Sequence, residues 1–117
     1  MVQLLSDFPA QTVNAAGTTI QGPVRLQDIG DSANAHVEII VTTITGTSPT
    51  LTVSIQWSED GTNFADPQAA ADALTAITAT GNYLKSFPVE GKWFQLKCVA
   101  GGTVTNITWT AEVYTQD

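Results

Sequence analysis

The chain has 117 residues and a mass of 12.3 kDa, with four basic side chains, eleven acidic ones and a net charge of −7 at pH 7. That length makes one domain, able to bury roughly two-thirds of its unfolded surface without a metal or a disulfide. The charge balance argues against nucleic-acid binding, because phosphate neutralisation needs clustered cations and only Arg25, Lys85, Lys92 and Lys97 are present.

Charged residues are 13% of the chain and hydrophobic residues 43%, so neutral Thr, Ser, Gln and Asn must supply most of the polar surface. This mixture favours strands over helices, since Thr is β-branched and Ser and Asn compete with the helical backbone. No run reaches the ~18 apolar residues of a membrane span, and MVQLLSDFP lacks the charged start and long apolar core of a Sec signal. Cys98 is the lone cysteine, set in the apolar run WFQLKCV, and is expected to be a small buried hydrophobe.

Taken in order, residues 1–10 combine Val2, Leu4, Leu5 and Phe8 with Pro9, which suggests an apolar N-terminal arm, packed on its own domain or on a neighbour, ahead of a single domain over residues 11–117. A short strand is expected from Gln11 to Ala15. Ile20, Val24 and Leu26 are in phase in the next segment, but Gly22-Pro23 interrupts it and marks an edge or bulged strand. A loop follows over residues 27–34. His36 to Ile44 is nearly continuous in β-branched residues, the signature of a central or covered strand. Gly46-Thr47-Ser48-Pro49 reads as a turn.

The strongest pattern is LTVSIQWSEDGTNF, residues 51–64. Leu51, Val53, Ile55 and Trp57 alternate with Thr52, Ser54, Gln56 and Ser58, which gives one core face and one wet face. Glu59-Asp60-Gly61-Thr62 supplies a turn, because Asp can bond its own backbone two residues on and Gly tolerates positive φ. Residues 66–72 are the one place for a helical turn. Two short strands, 74–80 and 83–89, are expected around a Gly81-Asn82 hairpin. Phe94, Leu96 and Cys98 share a face opposite Trp93, Gln95 and Lys97. Gly101-Gly102 reads as another turn, and the closing strand puts Ile107, Trp109, Ala111 and Val113 inward. About eight strands punctuated by Gly, Pro and Asn imply an all-β antiparallel β-sandwich, jelly-roll-like in character.

Residues for catalysis are scarce. His36 is the only histidine, so any nucleophilic triad or His-based metal site would have to use it. Its place at a strand start favours a solvated or capping role. Asp28, Asp31, Glu59, Asp60, Asp66 and Asp72 fall in loops without the spacing of a calcium loop, so turn and solubility roles are expected of them. No cofactor, metal or enzymatic activity is expected. Ser58-Glu59-Asp60-Gly61-Thr62-Asn63-Phe64 is similar to the Asp-box hairpin of sialidase-type propellers, which is a structural turn there too. Trp93 is the one tryptophan placed outward, suited to covering a neighbouring subunit or, with loop acids, to stacking on a sugar. Asn106-Ile107-Thr108 forms a glycosylation sequon inside an expected strand. Long strands with almost no charge, in a chain with four basic residues, suggest surfaces covered in an assembly.

PTLTVSIQWSEDGTNFAD, LTAITATGNY and WFQLKCVAGGTVTNITWTAEV together resemble the small all-β virion proteins of tailed bacteriophages, over roughly residues 36–115. The resemblance is one of strand and turn style. It implies a head decoration protein, outside the capsid and made in the host cytoplasm, that binds the major capsid protein and associates as a homo-oligomer, a trimer by preference. Val2, Leu4, Leu5, Phe8 and Trp93 are then the expected capsid or subunit contacts. A tail, baseplate or fibre component is the alternative within that setting. A carbohydrate-binding module using Trp93 is the alternative outside it.

Overall fold

The computed structural model describes residues 2–25, 34–65 and 73–116, with side chains over 8–25, 34–65 and 73–114. All described regular structure is β: β1 (Val2–Val13), β2 (Gly17–Arg25), β3 (Asn34–Ser58), β4 (Gly81–Pro88) and β5 (Trp93–Gln116). Every pairing is antiparallel. The helical turn expected over residues 66–72 and most of the loop at 27–34 lie outside the described residues.

Among the described residues there are five strands, two of them very long, beside the expectation of about eight. β3 has 25 residues and β5 has 24, and they pair along their whole length, from Asn34↔Gln116 to Ser58↔Trp93. Neither Gly46-Thr47-Ser48-Pro49 nor Gly101-Gly102 reverses the chain, as turns there would have done. The two segments face each other across the ladder, with Gly46↔Val104, Thr47↔Thr103 and Thr50↔Gly101 paired around register shifts. Each Gly-rich stretch therefore satisfies the other's backbone, and the ribbon bends without breaking. Gly46 has φ 140° and Gly102 has φ 77°. A Cβ on either would lie 2.0 Å from Thr103 O or 2.2 Å from Ser48 O, so backbone packs directly on backbone at the bend.

The bend divides the sheet into two layers. In the first, β1, the C-terminal half of β5, the N-terminal half of β3 and β4 lie side by side. In the second, β2 pairs with the N-terminal half of β5, which in turn pairs with the C-terminal half of β3. Isolated bridges Leu51↔Ile77, Ser54↔Ala73 and Trp57↔Ala65 extend that layer. The expected strand 74–80 is reduced to the Leu51↔Ile77 bridge. Gly81 and Asn82 are not a hairpin turn, because both sit in β4 opposite Val41 and Ile40. The expected bulge at Gly22-Pro23 is present as a register shift between Gln21 and Val24.

The inward faces of both layers form one core. Val37, Ile39, Val41, Ile107, Trp109 and Val113 from the first layer join Leu51, Val53, Ile55, Phe94 and Leu96 from the second. These are the positions that strand alternation places inward. Gln21 carries a polar contact between layers: its Oε1 accepts from Trp109 Nε1 at 3.2 Å and from Cys98 Sγ at 3.6 Å. Burial pushes the Cys98 thiol up to about 12, partly opposed by its contact with Trp109. Cys98 is a buried free thiol, as expected.

The N-terminal segment is part of this fold. β1 runs through residues 2–13 without stopping at residue 10, pairing from Val2↔Gln116 to Val13↔Ile107 with register shifts between Leu4 and Ser6 and between Phe8 and Gln11. The expected arm and the expected short strand at Gln11 are one strand on the chain's own domain.

Candidate functional site

The outer faces of the two layers are the surfaces on which a binding function can be built. On the first layer, His36, Glu38 and Ile40 of β3 alternate with buried Ala35, Val37 and Ile39, and so point outward. Register sets Glu112 opposite Glu38 from β5, and Leu84 opposite Glu38 from β4. Leu84 is 67% exposed. Tyr114 donates its hydroxyl hydrogen to Glu112 Oε2, and Ser86 Oγ lies 2.6 Å from His36 Nδ1. His36, Glu38, Leu84 and Tyr114 line one shallow depression. The His36–Ser86 contact joins β3 and β4 across the register that pairs the two residues.

Toward the bend this face is a threonine ladder. Thr12 and Thr108 share a hydroxyl hydrogen bond of 3.0 Å, and Thr42 and Thr45 donate to the carbonyls of Thr108 and Asn106. Asn106 of the sequon is half-buried and accepts from Thr108 Oγ1 at 3.3 Å. The neutral side chains thus satisfy one another across strands.

On the second layer the outward residues are Thr18, Ile20 and Arg25 of β2, Trp93, Gln95 and Lys97 of β5, and Ser54 and Gln56 of β3. Gln95 Nε2 donates to Gln56 Oε1 at 2.7 Å. Arg25 lies over the Trp93 ring at 5.5 Å, a cation–π contact, and Gly61 is set close against the same ring. Trp93 is half-buried and packed by its own chain, which leaves less ring for a sugar or a neighbour than the sequence suggests.

The turn at the end of β3 is as the sequence implies. Ser58 Oγ donates to Asp60 Oδ1 and accepts from the amides of Asp60 and Gly61. Asp60 Oδ1 in turn accepts from the amides of Thr62 and Asn63 at 2.9 and 2.8 Å, and Oδ2 accepts from Asn63 Nδ2. Those donors hold the Asp60 carboxyl well below the usual carboxylate range. Its oxygens are occupied by the turn, a structural role. The adjoining Glu59 to Lys92 pair, 4.0 Å apart and well exposed, adds little.

The other expected contact residues lie on β1. Val2 pairs with Gln116 and Leu4 with Tyr114, Leu5 falls in the register shift beside Leu4, and Phe8 packs against the core cluster. What the sequence reading missed is the pairing of outer-face residues. Glu38 and Glu112, 74 positions apart, become neighbours only through the β3–β5 register.

No family model and no curated protein matches the chain. Among solved structures it is similar to a chain in the structure of infectious bursal disease virus, Gx strain, with a TM-score of 0.51 and 13% identity. The match covers 98% of this chain and 30% of that one. At this identity the likeness is one of fold, an all-β antiparallel architecture shared over nearly the whole of this chain and under a third of the other.

Proposed function

We propose that the chain is a non-enzymatic virion structural protein, most specifically a capsid decoration protein that binds the outer face of a major capsid protein. The observation that carries this reading is the two-layer architecture, matched over 98% of the chain by a chain from a virus structure. Segment order supports a jelly roll. Split at the bend, β3 and β5 each contribute to both layers, and successive segments alternate between layers except at the Ser58–Asn63 turn. Homotrimeric association and a place on the capsid exterior belong to the same proposal. The chemistry is adhesive: apolar area leaves water at each contact, and binding to the assembled shell stabilises it by mass action.

The test is co-expression with the major capsid protein of the same genome, followed by gradient sedimentation of the shells. The chain is expected to travel with the shells at fixed stoichiometry and to raise their resistance to heat. Recovery at the top of the gradient overturns the decoration reading. Recovery with tail tubes moves the protein to the tail, baseplate or fibre.

A further inference from the structure

The strands at the edges of the sheet differ in how well they are closed to a further strand. Among the described residues, β1 and β2 pair only with β5, and both have irregular registers. β1 shifts between Leu4 and Ser6 and again between Phe8 and Gln11, around Pro9, and β2 shifts between Gln21 and Val24, around Gly22-Pro23. Bulges and prolines of this kind keep other strands from adding to an edge. β4 has no such interruption. Its eight residues pair with β3 without a shift, from Val41↔Gly81 to Asn34↔Pro88, and its one proline is the last residue. Among the described residues β3 is the only strand that pairs with it.

The middle of the β4 edge is accessible and apolar. Asn82, Leu84 and Ser86, on the outward side of the strand, are all exposed. Leu84, at 67%, is the most exposed large hydrophobic side chain among the described residues. A groove of about 370 Å³ is lined by Asn82, Tyr83, Leu84 and Lys85 together with Leu74 and Thr75, so the chain's own atoms leave room beside the strand. Lys85 is the one charged residue of β4. Alternation puts it on the inward side with Tyr83, which packs against the core and donates its hydroxyl hydrogen to Ala79 O at 2.6 Å. An inward lysine guards an edge against pairings that set it on another cation.

We infer that β4 is where a second copy of this chain adds, its own β4 running antiparallel to the first about a two-fold axis at Leu84, so that the two sheets continue as one. In that register Leu84 meets Leu84 of the second copy, Asn82 meets Ser86, and Tyr83 meets Lys85. The exposed leucine is covered by its counterpart, the polar residues face one another, and each lysine lies beside a tyrosine ring instead of a like charge. Opposed residues of an antiparallel pair share a face, so the axis must pass between two identical residues. At Lys85 it would set lysine on lysine. At Tyr83 it would set Leu84 on Asn82 and Lys85 on Gly81. The occupant is a second copy because the edge is complementary to itself in this one register, which Lys85 permits while penalising its neighbour. The contact is isologous and closes on two copies. It goes beyond the three-fold association of the proposed function and uses a separate surface.

Sedimentation equilibrium of the purified full chain tests this. Wild-type protein is expected to associate in even numbers, as dimers or as pairs of trimers where a three-fold contact also forms. Leu84→Lys and Leu84→Glu each put like charges at the axis and should weaken the two-fold contact by about tenfold or more. An equimolar mixture of the two variants should pair again, which requires Leu84 to lie opposite its own counterpart. Leu84→Cys should give a disulfide-linked dimer under mild oxidation, because opposed Cα atoms in an antiparallel pair are about 4.5 to 5.5 Å apart. Asn82→Cys and Ser86→Cys should cross-link only when combined in one chain, and buried Cys98 should stay out of the reaction. These side chains are exposed, so far-UV circular dichroism should match wild type in every variant. A wild-type monomer at every concentration, or a trimer that Leu84→Lys leaves intact, overturns the β4 pairing. A monomer whose binding to shells is lost in Leu84→Lys also overturns it and gives the edge to the capsid protein, while wild-type recovery in the gradient test reports separately on the decoration reading.

Discussion

Two stretches with the composition of turns behave differently. Ser58 to Asn63 ends β3 and holds itself together, because Ser58 and Asp60 take up the backbone amides of Asp60, Gly61, Thr62 and Asn63. Thr47 to Pro49, after Gly46, is just as rich in small and polar residues, yet it stays within the β3–β5 ladder, where its partner is the Gly101-Gly102 stretch. One is closed by local side-chain bonds. The other is closed by a second segment more than fifty residues away in the chain. Turn chemistry in a sequence therefore marks where the backbone can deviate. Whether the chain reverses or bends depends on who satisfies its amides.

The largest effect expected from breaking this contrast is at the bend. Gly102→Ala places a Cβ 2.2 Å from Ser48 O at a φ of 77°. Backbone strain and displacement together should cost roughly 4 kcal/mol, read as a lower urea midpoint. Trp109→Ala tests the layers that the bend brings together, and should cost about 3 to 5 kcal/mol in the same measurement, since it opens a cavity and leaves Gln21 Oε1 without its indole donor. Stability unchanged by either substitution would mean that the bend and the interlayer contact are not what the fold depends on.

The turn should be more forgiving. Ser58→Ala removes one donor and one doubly used acceptor and should cost about 1 to 2 kcal/mol, with faster hydrogen exchange at the amides of Asp60 and Gly61. The smallest effects at neutral pH separate the two regions by titration. The folded Asp60 carboxyl is depressed, so its stabilisation is present above the ordinary carboxylate range and is lost as pH falls through the folded value. Asp60→Asn should flatten the acid limb of stability below about pH 4. Cys98 has the opposite sense. Its folded value is raised to about 12 from 9.0, so its contribution is full below the unfolded value and is lost as pH rises between the two. Cys98→Ala should flatten the alkaline limb, and the native thiol should resist aromatic disulfide reagents that label the urea-unfolded chain.

By itself the sequence determined which side faces the core in three runs of β3 and β5. Leu51 to Trp57, Phe94 to Cys98 and Ile107 to Val113 alternate cleanly, and a one-residue slip would have exposed every apolar side chain in the run, whereas Val37 to Val41 is interrupted by Ile40 and its inward face was settled by the fold. It also determined the Ser58 turn, whose donors and acceptors lie within six consecutive residues. The tertiary structure alone decided the rest. Gly81 and Asn82 became strand residues because Val41 and Ile40 offered them a ladder, and residues 2–10 became the greater part of β1 because β5 had an open edge. The Glu38–Glu112 pair on the outer face exists only through register, which joins residues that no local pattern relates. The physical reason is common to all three. Alternation and turn bonds are local, whereas backbone pairing is settled between segments far apart in the chain, and charge on a sheet face follows that pairing.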